Sequence, residues 1–462
     1  MIHRVLAADL PAHVGRTVRL SGWLHRRREL KSVSFLVVRD RSGLAQVVLR
    51  EPVPYPEETV LEVTGTVVAN PAAPGGAELA GAEAEAETGT GAETASETGT
   101  GTGTGTRPVA GSPAGPVVEV LSEAVQPPPF DLYRPAVPAA LPTILDNAPA
   151  ALRHPRLRAP FEIAAAGVAG FRAALDGLGF VETHTPKIVG TATESGANVF
   201  GIDYFGRPAF LAQSPQFYKQ ALVGVFERVY EVGPVFRAEP HDTARHLAQY
   251  TSLDAELGFV RDHRDVMAVL RQALAGMHAS VSARAGSALA LLEIELPEVP
   301  QEIPSIHFAD AQELIARHTG EDPRGEPDLA PAHERRLGEW ALREHGSEFV
   351  FVTGYPMVKR PFYTHPDPER PEYSRSFDLL FRGLELVTGG QRLHRHADCL
   401  AALTARGEDP RDYAGYLAAF ACGMPPHGGF AIGLERWTSR LTGAANIRQA
   451  TLFPRDLHRL SP

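Results

Sequence analysis

"VFRAEPHDTARHLAQYTSLDAELGF", residues 235–259, packs Arg237, His241, Arg245 and His246 together with Glu239, Asp242, Asp254 and Glu256 between two runs that read as strands. Side chains alternate between the faces of a strand. A strand over 251–259 therefore sets Ser252, Asp254 and Glu256 on one face and Leu253, Leu257 and Phe259 on the other. On the strand before it, Arg237 and Glu239 share a face, with Phe236 and Ala238 opposite. The pattern is a hairpin with an apolar face on a core and a polar face turned toward something else. A solvated face laced with salt bridges is the ordinary outcome for such a hairpin. Fixed arginines are also what bidentate recognition of phosphate or carboxylate requires.

Outward from the hairpin, "PFEIAAAGVAGFRAALDGLGF" (160–180) and "HRDVMAVLRQALAGMHASVSARAG" (263–286) have helical periodicity. "FVFVTGYP" (349–356), "SRSFDLLFRGLELVTGG" (374–390) and "GGFAIGLER" (428–436) read as further strands. Helices do not alternate strictly with strands, so the domain from about 146 to 462 is an α+β fold, an antiparallel sheet flanked by helices. Residues 1–130 differ. "TVRLSGW", "SFLVVRD", "AQVVLR" and "TVLEVTGTVV" are short alternating runs with turn residues between them, the signature of a small β-barrel of the OB type. Residues 77–116, rich in Ala, Glu, Thr and Gly, are expected to be a disordered insert in a barrel loop, before "PVVEVLSEAVQ" resumes a strand. The proline-rich stretch at 131–145 reads as a hinge.

Net charge is −10 over 462 residues, which argues against indiscriminate nucleic-acid binding. Residues 1–52 nevertheless carry nine Arg and one Lys against Asp9, Glu29, Asp40 and Glu51, a local basic patch able to hold phosphates. No run is long and apolar enough for a membrane span, and no signal peptide is legible. Cys399 and Cys422 are the only cysteines, which suits a reducing cytoplasm. His394, His396 and His427 lack a zinc spacing.

"FRAE" followed by "RHL" and a strand ending "LDAELGF" resembles motif 2 of the class II aminoacyl-tRNA synthetases. "GGFAIGLERW" (428–437) resembles their motif 3, and "GFVETHTPKIV" (179–189) their motif 1, with Pro186 at the family's dimer interface. "TESGANVFGIDYFGRPAFLAQSPQFYKQ", "PFYTHPDPERPEYSRSFDLLFRGLEL", "GGQRLH" and the terminal "NIRQATLFPRDLHRLSP" are similar to the archaeal-type aspartyl members. The resemblance spans nearly the whole chain outside 77–116.

It implies ATP-dependent formation of aspartyl-adenylate and transfer of the aspartyl group to tRNA. Arg237 would bridge the aspartate α-carboxylate and the α-phosphate, neutralising the repulsion between two anions. Glu239 would hold the adenine end, and Arg245, His246 and Leu247 belong to the ATP loop. Arg436 would lie by the adenine and the γ-phosphate, with Gly433, Leu434 and Glu435 forming the seat. Glu385 resembles the family's Mg²⁺ ligand; Thr388 stands where a second ligand is typically serine. A carboxylate nucleophile is ionised at neutral pH and needs no general base. Lys219 and Arg392 match positions that read the aspartate β-carboxylate; on this view an isosteric amide would leave both charges unpaired. Ser214, Gln216 and Asp254 match α-amino and backbone contacts, and Glu194 the glutamate of a closing loop in which "ESGA" replaces the frequent "EGGA".

In the barrel, Phe35 and Gln46 match positions that stack on and hydrogen-bond the central anticodon uridine, although a strand phenylalanine ordinarily points into a core. Arg26, Arg27 and Arg28 would meet phosphates. His25, with Pro71 and Pro74 in "NPAAPGG", resembles the branch that charges both tRNA(Asp) and tRNA(Asn) and works with a tRNA-dependent amidotransferase. The implied partners are L-aspartate, these tRNAs and a second copy of the chain. The alternatives are an enzyme restricted to tRNA(Asp), an asparagine-specific ligase, and a non-aminoacylating RNA-binding paralogue.

Overall fold

The computed structural model describes residues 2–31, 33–80, 115–190 and 198–461. Contacts divide the chain into two compact units, Met1–His154 and Pro155–Pro462. No helix among the described residues is long and apolar enough to cross a membrane.

The first unit contains β1 (Thr17–Glu29), β2 (Ser34–Arg39), β3 (Leu44–Leu49), β4 (Val60–Ala69), β5 (Ala77–Ala80) and β6 (Val117–Ser122). They pair in the order β1-β2-β3-β5-β4, and β4 returns to β1 to close a barrel, with β6 added beside β4. Leu20, Leu24, Leu36, Val38, Val47, Leu61 and Val63 fill its interior and are fully buried. One expectation is corrected here. Residues 77–80 are a strand and not part of a disordered insert. Glu78 and Leu79 pair in parallel with Gln46 and Val47, and Leu79 is fully buried. The Ala-rich composition hid a closing strand whose inner positions, Ala77 and Leu79, face a crowded core. Residues 81–114 lie outside the described residues.

The hinge is corrected too. Short helices occupy Leu141–Asp146 and Ala148–Ala151, within the barrel's unit. Arg39 donates to the Arg153 carbonyl at 2.8 Å, and both arginines pair with Glu58, at 2.7 and 2.8 Å. A shared carboxylate thus fastens this segment, and the boundary falls after His154.

The second unit holds β7 (Val181–Glu182), β8 (Ile188–Val189), β9 (Gly201–Tyr204), β10 (Arg207–Leu211), β11 (Arg228–Phe236), β12 (Gln249–Gly258), β13 (Ser305–His307), β14 (Phe349–Thr353), β15 (Ser376–Phe381), β16 (Leu384–Gln391) and β17 (His427–Gly433). Eight form one sheet in the order β13-β14-β15-β16-β17-β12-β11-β7. The expected antiparallel pairing holds across its centre, but the two edge pairs, β13–β14 and β7–β11, are parallel. Helices Pro155–Gly177 and His263–Arg284 cover one face, burying Leu253, Ala255 and Leu257 of β12 with Phe171, Leu274 and Met277. Two details of the hairpin differ from the sequence reading. β11 ends at Phe236, so Arg237 begins the loop, and β12 ends at Gly258, with Phe259 exposed at φ +58° rather than in the core.

Candidate active site

The polar face of β12 is not solvated. Asp254 is 1% exposed and lines a cavity of about 420 Å³, and Glu256, two residues on along the same strand face, is fully buried. Helix Gln216–Phe226 supplies one wall. Its buried stripe runs Gln216, Lys219, Gln220 and Val223, so helical periodicity itself carries a lysine inside. The Lys219 Nζ donates to Asp254 Oδ1 at 2.9 Å and to the Phe430 carbonyl at 3.3 Å, and sits 3.4 Å from Glu256 Oε2. Arg392, at the end of β16, donates from Nε to Glu256 Oε1 at 3.0 Å and from a terminal nitrogen to the Gly429 carbonyl at 3.0 Å. Burial pushes the Glu256 pKa upward, but Arg392, Lys219 and His427 outweigh it and hold the carboxylate below its ordinary range. Gly429 makes room for this network: a Cβ there would lie 2.1 Å from Glu256 Oε2.

Another part of the lining comes from the loop after β11. The Arg237 guanidinium lies 3.8 Å from Glu239 and over the Tyr250 ring. His246 Nδ1 contacts Thr243 Oγ1 at 2.6 Å, and burial holds its pKa below the ordinary imidazole range against the pull of Glu239. Residues far along the chain brace this loop. Arg448 pairs with Asp242 at 2.6 Å and donates to the Thr243 carbonyl at 3.1 Å. Asp456 holds the same guanidinium at 2.5 Å.

Gly433 caps helix Leu434–Thr442, which carries Arg436 into the cavity. Arg436 donates to the Glu385 carbonyl at 3.2 Å and lies 3.5 Å from its carboxylate. Thr388 donates to Glu385 at 3.2 Å. Across the ladder from Thr388 stands Asp378, paired with Arg360 at 3.0 Å; burial raises its pKa above the usual carboxylate range. Glu435 accepts the Thr251 backbone N–H at 3.0 Å on each oxygen, and burial pushes its pKa up to about 7.

The cavity thus gathers Ser214, Gln216, Lys219, Arg237, Glu239, Arg245, His246, Leu247, Asp254, Glu385, Thr388, Arg392, Gly433, Glu435 and Arg436 from seven separate stretches of sequence. Leu434 does not line it and packs instead toward the hydrophobic core. Glu194 and Ser195 lie outside the described residues. Sequence reasoning missed Glu256 as the link between the two cations, and also Asp378, Arg360, Arg448 and Asp456. Their partners are distant in sequence, so no local pattern marks them.

The barrel carries a second, shallower depression lined by Arg26, Arg27, Arg28, Phe35, Val37 and Gln46. Phe35 faces outward, because Leu36 and Val38 take the core positions of β2. Gln46 donates to Glu78 at 2.6 Å, which fixes the orientation of its amide. Arg26 lies 4.4 Å over the Tyr133 ring, and Arg27 donates to the Val53 carbonyl at 2.8 Å. His25 does not join them. A bulge between Leu24 and Arg26 turns its ring inward, where it is 5% exposed, its Nδ1 has no hydrogen-bond partner, and burial lowers its pKa to about 4.

A closed five-stranded barrel and a sheet whose strand-end arginines converge on one polar cavity are the architecture of a class II synthetase with an anticodon-type barrel. Residues 141–457 match the family model for class II tRNA synthetases (D, K and N), and residues 18–85 match that for an OB-fold nucleic acid binding domain. The chain belongs to the class II tRNA synthetases of this D, K and N group. It is 46% identical to an aspartate–tRNA(Asp/Asn) ligase of Thermus thermophilus, with 99% of this chain and all of that protein aligned. It is 42% identical to an enzyme of the same name from Deinococcus radiodurans, over all of this chain and 99% of that protein. The crystal structure of asparaginyl-tRNA synthetase from Pyrococcus horikoshii complexed with asparaginyl-adenylate superposes with a TM-score of 0.85 at 27% identity, covering both chains fully.

Proposed function

We propose that the chain attaches L-aspartate to tRNA through an aspartyl-adenylate, and that it serves both tRNA(Asp) and tRNA(Asn). The observation that carries this reading is that Lys219 and Arg392, joined through the buried Glu256, line one cavity together with Arg237. Lysine and arginine only donate hydrogen bonds. A carboxylate, which only accepts, suits them; the NH₂ of asparagine meets donors with a donor. The two cations are already paired with Asp254 and Glu256, so an amide would not leave them bare; selectivity rests on hydrogen-bond polarity instead.

Arg237 stands where it can join the amino-acid carboxylate to the α-phosphate, lowering the repulsion between two anions. Arg436, Arg245, His246 and Glu239 form the nucleotide side. Class II aminoacyl-tRNA synthetases use ATP. Among the described residues no group of three or more His, Cys, Asp or Glu is arranged for a metal ion. Glu385 with the Thr388 hydroxyl still fits Mg²⁺, which is commonly held by one or two carboxylates plus substrate phosphates. Bound there, Mg²⁺ would neutralise phosphate charge.

The relaxed choice of tRNA is supported by the two relatives named for both tRNAs and by the loop Asn70–Gly76, whose Asn70 shares Glu78 with Gln46. His25 would act on the bound base only through its neighbour Arg26. The product on tRNA(Asn) would then pass to an amidotransferase. A homodimer in the cytoplasm completes the proposal; Val181, Pro186 and Ile188 offer exposed apolar surface near the parallel sheet edge. Charging purified tRNA(Asp) and tRNA(Asn) separately with radiolabelled aspartate, ATP and Mg²⁺ tests it. Both tRNAs are expected to be charged. Charging of tRNA(Asp) alone removes the relaxed reading, and charging of neither points to the paralogue.

A further inference from the structure

Lys219 and Arg392 reach the same carboxylate from different elements, one from helix Gln216–Phe226 and the other from the residue after β16. Both cations hang on long flexible stems, so their ion pairs alone do not set where the two backbones lie. His427, the first residue of β17, joins those backbones. Its carbonyl accepts the Arg392 backbone N–H at 2.8 Å. Its ring reaches the helix: Nε2 lies 3.0 Å from Gln220 Nε2, and both side chains are fully buried. The tautomer follows from the other ring nitrogen. Nδ1 lies 2.8 Å from the Pro425 carbonyl, which only accepts, so the proton sits on Nδ1 and Nε2 presents a lone pair. The Gln220 NH₂ therefore donates; a flipped amide would set its oxygen against that lone pair. Burial, with Arg392 and His394 adding to it, outweighs the pull of Glu256 and the Pro425 carbonyl and holds the ring's pKa below the ordinary imidazole range. The link is thus neutral, and it adds no charge to compete with Glu256 for either cation. His278 offers an internal comparison. It is also buried, and its Nδ1 lies 2.9 Å from the Pro297 carbonyl, but its Nε2 has no hydrogen-bond partner and its ring packs among Phe349, Phe381 and Trp437. The fold uses a buried histidine on a proline carbonyl once for packing and once as a tie.

We propose that His427 and Gln220 are a positioning pair that sets the spacing between Lys219 and Arg392, and through it the fit of the amino-acid side-chain carboxylate. Neither residue lines the cavity; both act through the cations. Lys219 and Gln220 are neighbours on one buried helical stripe, so a turn or slide of the helix moves them together. Without the tie, Lys219 keeps Asp254, but its distance to Arg392 is no longer fixed. The inference rests on the aspartate-activating reading of this cavity.

Aspartate-dependent ATP–pyrophosphate exchange by the whole protein, with Tm recorded alongside, tests the pair. Gln220→Met keeps the volume and removes the donor; His427→Leu removes the acceptor. Each is expected to raise the KM for aspartate about ten-fold and to leave the KM for ATP unchanged. The double variant should cost no more than either single one, because the same bond is lost in all three. His427→Gln offers an amide oxygen to the Gln220 NH₂ and should recover most of the aspartate affinity. His278→Leu should lower Tm and leave the KM for aspartate where it was. If His427→Leu does not fold, Gln220→Met decides alone. An unchanged KM for aspartate overturns the pair. So do additive losses in the double variant, equal rises in both KM values, and an equal shift in His278→Leu. Wild-type protein without any aspartate-dependent exchange overturns the aspartate reading and the pair with it; normal wild-type exchange with one of those patterns overturns the pair alone.

Discussion

The cavity on the sheet and the depression on the barrel both gather arginines, yet they are built in opposite ways. In the cavity two cations, Lys219 and Arg392, are buried and already bonded: Lys219 to Asp254, Arg392 to Glu256. On the barrel Arg26, Arg27 and Arg28 stay at the surface around a half-buried Phe35. The one side-chain carboxylate of a small ligand is recognised by donors that cannot turn, so rigidity serves selectivity. A large polyanion is recognised by many weak contacts, so exposure serves attraction, and salt screens it. The two regions should therefore fail differently when altered.

The largest effect is expected from Lys219→Ala. It leaves Asp254 and Glu256 short of a cation, and breaking a buried pair costs about 3–5 kcal/mol. Aspartate-dependent pyrophosphate exchange should drop about 10²–10³-fold; near wild-type exchange would mean that Arg392 alone sets the pocket. Gly429→Ala comes next. Its methyl group would collide with Glu256, and overpacking of this kind costs about 1–3 kcal/mol, read as a lower Tm together with a higher KM for aspartate. Phe35→Ala should separate the regions cleanly. Losing one base stack of about 1–3 kcal/mol should raise the KM for tRNA about ten-fold or more and leave pyrophosphate exchange untouched. A fall in exchange would break the separation.

The smallest effects lie in pH, with opposite signs in the two units. His25 has a folded pKa of about 4 against an ordinary 6.5, so its contribution to stability is present above 6.5 and is lost as pH falls toward 4. Glu435 has a folded pKa of about 7 against 4.5, so the folded state is penalised as pH rises from 4.5 to 7. His25→Phe should flatten the acid limb of Tm against pH, and Glu435→Gln the limb between 4.5 and 7. The opposite pattern would mean that neither group is held as its surroundings imply.

Much of this was legible beforehand. Alternation gave the barrel strands, and helical stripes gave the two long helices, because burial on one face imposes a period. The residues at the cavity were legible as motifs. What stayed hidden follows from how the fold is made. Alternation places Glu256 on the polar face of its strand but gives it no role, because its meaning depends on Lys219 and Arg392, far away in the chain and close only after the sheet forms. β5 was concealed by alanines of weak strand propensity that run straight into low-complexity sequence. His25 sat in an alternating run, and periodicity has no way to signal a bulge.

The brace on the loop after β11 forms long after the loop is made. Arg448 reaches back 205 positions to the Thr243 carbonyl, and Ala248 donates to the carbonyl of Arg455. At about 5–20 residues per second, a ribosome would take on the order of 10–40 s between making the loop and making the arginine that steadies it. A nascent chain can thus fold its barrel well before the loop after β11 is secured. A synthetase of this group would thus gain the bracing of the loop after β11 long after the loop itself is made.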